Sequence, residues 1–145
     1  MPDGSPAILT TSGVWTVGAD ARLRRLVATP RYDCRAIAPV AAVQNAYHVH
    51  ATADAALLAD CTRSGTAFVP FFPLGGGLDP IDTTRLEKIA ARHGATVQQV
   101  ALAALLAASP VMLPIPGTGS LAHLEENVAA ASLRLTPEDI ASLGG

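Results

Sequence analysis

The chain has 145 residues, 50% of them hydrophobic but only 4% aromatic, with 10 basic and 12 acidic side chains and a net charge of −2. That length supports one domain with a core of Ala, Val and Leu, and the absence of a basic stripe excludes nucleic acid and an anionic membrane surface as partners. The longest apolar run, Val100 to Ala108, is far short of a membrane span and is stopped by Pro110.

In chain order, the N-terminus carries an early acidic residue and no continuous apolar segment, which makes it a poor signal peptide and leads to an expected cytoplasmic location. Ala7 to Thr10 and Val14 to Val17 have the texture of a weak hairpin around Gly13. "ARLRRLVATPRYDC" concentrates four of the ten basic residues. Residues 1–34 are therefore read as an N-terminal segment of unknown structure, and 35–145 as the folded body. Cys34 and Cys61 form no C-x-x-C pair. They read as reduced thiols, Cys61 as a small buried hydrophobe beside Leu57 and Leu58.

From Arg35 the pattern is β-α-β-α-β-α. Val40 to Gln44 is a short strand, and Thr52 is the expected cap of a helix ended by Gly65. Thr66 to Phe71 is a second strand. Thr84-x-x-Glu87 predicts a capping box for a helix ended by Gly94, and Thr96-x-x-Gln99 predicts another for the apolar helix that Pro110 stops. Val111 to Ile115 is the third expected strand. After Ser120, a helix carries Leu121, Leu124, Val128 and Ala131 on one face. Thr136-Pro137 opens a last helix, which Glu138 and Asp139 start.

Strands separated by helices require parallel pairing through right-handed crossovers, so the fold class is α/β: a partial (β/α)8 TIM barrel of about three C-terminal units. Strands cut from a closed barrel would leave two open edges, a route to homo-oligomers.

Several residues carry alternative readings. Gly117-x-Gly119-x-x-Ala122 fits G-x-G-x-x-G/A as letters, but it follows the last strand, where no second half of a dinucleotide fold remains. The turn still offers unpaired N–H groups at a helix start, a setting suited to phosphate. His48 and His50 lie two apart as metal ligands can, yet without a third ligand they read as loop-exposed imidazoles, and no metal is expected. Phe71 and Phe72 face opposite sides of a strand, so one belongs to the core. Gly75 to Gly77 reads equally as a flexible connector or a phosphate contact.

Three motifs, "APVAAVQNAYHVH", "GTAFVPFFPLGGG" and "SPVMLPIPGTGSLAHLEENV", together resemble the C-terminal part of the aldo/keto reductase family. The resemblance implies a (β/α)8 barrel that binds NADP(H) at its C-terminal face and reduces carbonyl compounds by hydride transfer. By this resemblance Gln44 matches the residue on the nicotinamide carboxamide, and Phe71 the aromatic ring on the nicotinamide face. Pro73, Leu74 and Gly75 match the pyrophosphate loop. Gly117, Thr118 and Gly119 match the turn at the adenosine 2′-phosphate, and His123, Glu126 and Asn127 the positions around adenine and ribose. The family often has Lys at the Gly117 position and Arg at the His123 position; both would bind the 2′-phosphate, so NAD stays open beside NADP.

The family's catalytic Asp, Tyr, Lys and His lie earlier in the barrel, and no match to them is found. Lys88 is the only lysine and falls in an outer helix; Tyr32 and Tyr47 are the only tyrosines, and neither has the family's context. The resulting expectation is a truncated, cofactor-binding half of a reductase that takes a small carbonyl substrate only when the missing half is supplied. The alternative is a non-catalytic half-barrel acting as a nucleotide-binding or assembly module.

Overall fold

The computed structural model describes residues 39–75 and 81–143, and before them the backbone of strands β1 (Ala7–Thr10), β2 (Gly13–Val17) and β3 (Leu23–Val27). Tyr32, Cys34, Gly76 and Gly77 lie outside the described residues. β4 (Val40–Ala46), α1 (Ala55–Ser64), β5 (Ala67–Phe71), α2 (Thr83–His93), α3 (Val97–Ala108), α4 (Leu121–Ala129) and α5 (Pro137–Leu143) follow.

The sheet order is β3-β2-β1-β4-β5. β1 and β5 flank β4 in parallel, whereas β1–β2 and β2–β3 are antiparallel. The hairpin expected near Gly13 is thus joined by a third strand, and the edge of β4 that was expected to be open pairs with β1 through Leu9 and Val43. That pairing satisfies backbone groups which would otherwise be exposed.

Among the described residues the other side of β5 carries little pairing. Instead of a full strand over Val111 to Ile115, a single bridge joins Met112 to Phe68: Phe68 N donates to Val111 O at 2.9 Å and Leu113 N to Phe68 O at 2.8 Å. Pro114 and Pro116 have no N–H to donate, so the ladder cannot continue.

Alternation on β4 and β5 directs Val43 and Phe68 to the helical side, where they pack with Tyr47, Leu58, Cys61, Leu105 and Met112. Cys61 is buried there, as its spacing predicted. A second cluster joins Leu86, Ile89 and Ala90 of α2 to Val100 and Ala101 of α3 and Leu143 of α5. α3 serves both clusters because its run VALAALLAA is apolar on nearly every face. Burial of each leucine-sized side chain stabilises the fold by about 1.5–3 kcal/mol.

Local chemistry sets the helix ends. Gly65 and Gly94 terminate α1 and α2 with φ of 67° and 59°, the left-handed conformation that glycine tolerates best. α3 has the predicted capping box, with Gln99 N donating to Thr96 Oγ1 at 3.2 Å and Thr96 N to Gln99 Oε1 at 3.0 Å. α2 begins two residues earlier than expected. Its cap is Asp82, whose carboxylate accepts from Thr84 N at 3.0 Å, and Thr83 rather than Thr84 bonds Glu87, at 2.7 Å. A carboxylate outcompetes a hydroxyl as acceptor for a helix-start N–H. α1 is likewise preceded by Asp54 rather than Thr52, without a side-chain cap, because the Asp54 carboxylate is held by Asn45 Nδ2 at 2.8 Å. α4 ends at Ala129, so Ala131 of the predicted apolar face falls in the following 3-10 turn, Ala130–Ser132. Among the described residues no helix is long and apolar enough to cross a membrane.

Candidate functional site

Three separate segments meet at the start of α4. The turn 117–120 leads into it, the first turn of α3 stands beside it, and the loop after β5 reaches across. Together they enclose a cavity of about 200 Å³ lined by Leu74, Gln98, Gly117, Thr118, His123, Glu126 and Asn127. Six of these seven are residues that the sequence analysis singled out.

The geometry follows from capping. Ser120 accepts from His123 N at 3.4 Å as the α4 cap, and Thr118 Oγ1 accepts from Ser120 N at 3.1 Å, which folds the turn back onto the helix start. Gln99, having closed the α3 cap with its carbonyl oxygen, donates through Nε2 to Glu126 O at 3.2 Å. One side chain thereby fastens α4 beside α3 and fixes the width of the cavity. Gly117 and Gly119 face open space, since a Cβ built on either would meet nothing within 4 Å.

The lining is chiefly neutral and polar. Thr118, Gln98 and Asn127 bring hydroxyl and amide groups, Glu126 brings a carboxylate, His123 brings an imidazole, and among the described residues no lysine or arginine contributes. Gln98 is the residue that sequence reasoning missed. The cap signal at Thr96 and Gln99 marked the helix start, but nothing in it indicated that the intervening Gln98 would turn toward α4.

The remaining predicted residues form a second group. Gln44 pairs in register with Val69, and Ala46 with Phe71, so Gln44 and Phe71 share the sheet face away from Val43 and Phe68. Phe71 is half-buried and Phe72 exposed at 56%. Contrary to the expectation for this pair, neither joins the core, because Phe68 and Pro70 take the inward positions of β5. The two rings meet edge-on at 5.4 Å. Phe72 has φ of 52°, and Gly75, at φ 81°, donates its N–H to Phe72 O at 2.9 Å, closing a tight turn through the buried Pro73. Gly75 is therefore a turn residue, and Leu74 from the same turn carries the loop into the cavity. Gln44, Phe71, Pro73, Gly75 and Gly119 do not line it.

His48 is buried, not loop-exposed, with Nδ1 accepting from His50 N at 3.3 Å; the ring Nε2 of His50 pairs with Asp82 O at 3.0 Å. Among the described residues no three His, Cys, Asp or Glu side chains converge as metal ligands. Tyr47 packs edge-on against Phe68 at 5.5 Å, and burial, with Asp54 nearby, pushes its phenol above the usual 10. A phenol shifted in that direction is a weaker proton donor at neutral pH. Lys88 stands on α2, at a different groove.

Residues 81–144 match the model of the aldo/keto reductase family. Over 123 residues the chain is 46% identical to pyridoxine 4-dehydrogenase of Escherichia coli, covering 85% of this chain and 43% of that protein. It is 40% identical over 105 residues to an uncharacterised oxidoreductase of Schizosaccharomyces pombe, covering 72% and 34% of the two. Among solved structures, a thermostable aldo-keto reductase in complex with the inhibitor epalrestat superposes with a TM-score of 0.68 at 34% identity, covering 74% of this chain and 40% of that one. An aldo/keto reductase from Klebsiella pneumoniae in complex with NADP and acetate gives 0.66 at 27% identity, covering 72% and 38%. These neighbours are (β/α)8 barrels. The chain spans less than half the length of the curated relatives it matches.

Proposed function

Since the chain belongs to the aldo/keto reductase family, we propose that it supplies the nucleotide-holding part of an NADP(H)-dependent carbonyl reductase and depends on the rest of the barrel for turnover. The observation that carries this reading is the convergence of Leu74, Gln98, Gly117, Thr118, His123, Glu126 and Asn127, from three segments, on one cavity.

The residues present fit a nucleotide. Gly117 and Gly119 leave room for a phosphate to approach the backbone, and the α4 start presents N–H groups with its helix dipole behind them. Glu126 can accept from ribose hydroxyls, and the amides of Gln98 and Asn127 can bond a purine edge. Thr118, whose oxygen already accepts from Ser120 N, retains its O–H as a donor. Among the described residues His123 is the one group of the lining able to carry positive charge, so a 2′-phosphate would be held mainly by neutral donors, and NAD(H) is an alternative ligand. When bound, the cofactor supplies the hydride. Gln44 and Phe71, on the shared sheet face, would orient its nicotinamide end, and Pro73 and Gly75 would shape the loop along its pyrophosphate. We place the protein in the cytoplasm and take a small carbonyl compound as the substrate of the completed barrel.

A second reading, a non-catalytic nucleotide-binding or assembly module, draws on the burial of Tyr47 and the position of Lys88 away from the cavity. Fluorescence titration with NADPH tests the common part: binding to the chain and its loss in Gly119→Val support the site, and equal affinity for both proteins would falsify it. Assaying aldehyde reduction separates the two readings, with turnover expected only after the remaining barrel segments are added.

A further inference from the structure

A concavity that the nucleotide reading does not use lies on the outer surface, between α2 and α5. It has a volume of about 720 Å³, and Arg85, Lys88, Arg92 and His93 line one wall. A pocket of that size is in the range of small-molecule sites. Residues 85, 88 and 92 fall at i, i+3 and i+7, so the three cations form a row on one face of α2 about 10 Å long.

The opposing wall carries two carboxylates in different states. Asp139 is buried at the floor, where its oxygens are engaged by Arg92, by His93 Nε2 at 2.7 Å and by Thr136 N at 2.9 Å. Glu138 is exposed at the rim. Arg85 Nη1 donates to Ser142 O at 3.1 Å, which holds its guanidinium over the groove. Lys88 takes part in no hydrogen bond or ion pair among the described residues. Ile89 supplies an apolar floor between the cations.

From this arrangement we propose a second ligand site, for a small multivalent oxyanion such as an organic phosphate or polycarboxylate. Arg85 and Arg92 are already held at the groove by protein acceptors, so their guanidinium groups are positioned without further ordering, and Lys88 adds a charge between them that has no hydrogen-bond or ion-pair partner among the described residues. With the floor carboxylate saturated, the groove is electropositive toward an incoming group. The proposal is independent of the nucleotide reading, since it involves none of the cavity residues at α4.

Inorganic pyrophosphate is the probe, titrated calorimetrically at fixed ionic strength into the Gly119→Val protein, so that binding at the α4 turn is removed. Saturable binding is expected, and Lys88→Glu should weaken it about tenfold, through loss of one exposed attraction and gain of one repulsion. Circular dichroism of Lys88→Glu should match the parent, because the residue is exposed. Heat indistinguishable from matched sodium chloride, or equal affinity in Lys88→Glu, would overturn the site.

Discussion

The α2–α3–α5 side of the molecule and the α4 side were built from the same kind of sequence signal and ended in opposite states. Both present apolar residues at helical spacing. On the first side Leu86, Ile89, Val100 and Leu143 are in the core. On the second, Leu121, Leu124 and Val128 of α4 are 71%, 50% and 67% exposed, and Leu124 and Val128 border, with Leu113 and Ile115, an open groove of about 400 Å³. Hydrophobic periodicity thus specifies that a helix has a face to bury, and not that a partner for that face is at hand. The difference has a structural cause. α2 and α5 are linked by a buried polar anchor, whereas among the described residues the side-chain hydrogen bond between α4 and α3 is that of Gln99.

The sharpest way to break this contrast is to excavate each side. Leu86→Ala, at a site with no exposure, is expected to lower unfolding free energy by about 2–5 kcal/mol. Leu124→Ala should change it far less. Urea denaturation of the two variants checks both, and comparable losses would mean that the α4 face is covered in solution.

Asp139→Asn probes the anchor. Hydrogen bonding from Arg92, then from Thr136 N and His93, holds the Asp139 carboxyl well below the usual carboxylate range. A depressed folded-state value means that the folded protein favours the charged form, so the stabilisation is complete above the ordinary value of 3.8 and is lost as the pH falls below it. Melts from pH 7 down to pH 2 should therefore show a steep decline for the parent below about pH 4. Asp139→Asn should have a lower melting temperature at pH 7, with a flatter decline in that window. An unchanged acid profile would remove Asp139 as the anchor.

How much of this was legible in the sequence depends on the range of the interaction. Caps are local, and Gly65, Gly94, Ser120 and the Thr96–Gln99 box could be read directly. The exchange between Thr136 and Asp139, where Asp139 N donates to Thr136 Oγ1 at 3.1 Å, extends the cap predicted at Thr136. Where several cap formers adjoin, as at Asp82, Thr83 and Thr84, the choice turns on side-chain competition that letters do not rank. Pairing is non-local. LRRLV in β3 reads as polar, and only a partner strand makes it part of a sheet. Pro114 and Pro116, which shorten the third strand, are visible in the sequence, but the apolar texture of Val111 to Ile115 is that of a strand all the same. For the candidate site, the glycine turn was legible from the chemistry of a helix start and the other cavity residues from family likeness, whereas Gln98 occupies an unspecified position of the Thr96-x-x-Gln99 box and no local signal marks it.

Gln99→Ala addresses the tie between the two sides. It removes the reciprocal half of the α3 cap and the bond to Glu126 O, so a loss of about 1 kcal/mol is expected, in the range of a helix cap. The sharper consequence is at the cavity. If Gln99 sets its width, nucleotide affinity should fall in this variant while Lys88→Glu leaves it unchanged. Titration of NADPH into both discriminates between them, and equal affinities would reduce Gln99 to a cap alone.

The smallest expected effect concerns the exposed face itself. Leu121→Gln with Val128→Gln exchanges two apolar side chains for polar ones at positions that are more than two-thirds exposed. Substitutions at such sites usually stay within about 0.5 kcal/mol, since little apolar area returns to water on unfolding. Glutamine is also at least as good a helix former as valine, so α4 itself has no reason to fray. Stability should hold at every protein concentration. Sedimentation should show less association than the parent, because the variant removes an apolar patch of the kind that drives self-contact. A stability loss above about 1 kcal/mol that grows with protein concentration would show instead that the α4 face is buried against another copy, and the two sides of the molecule would then differ only in which chain supplies the partner.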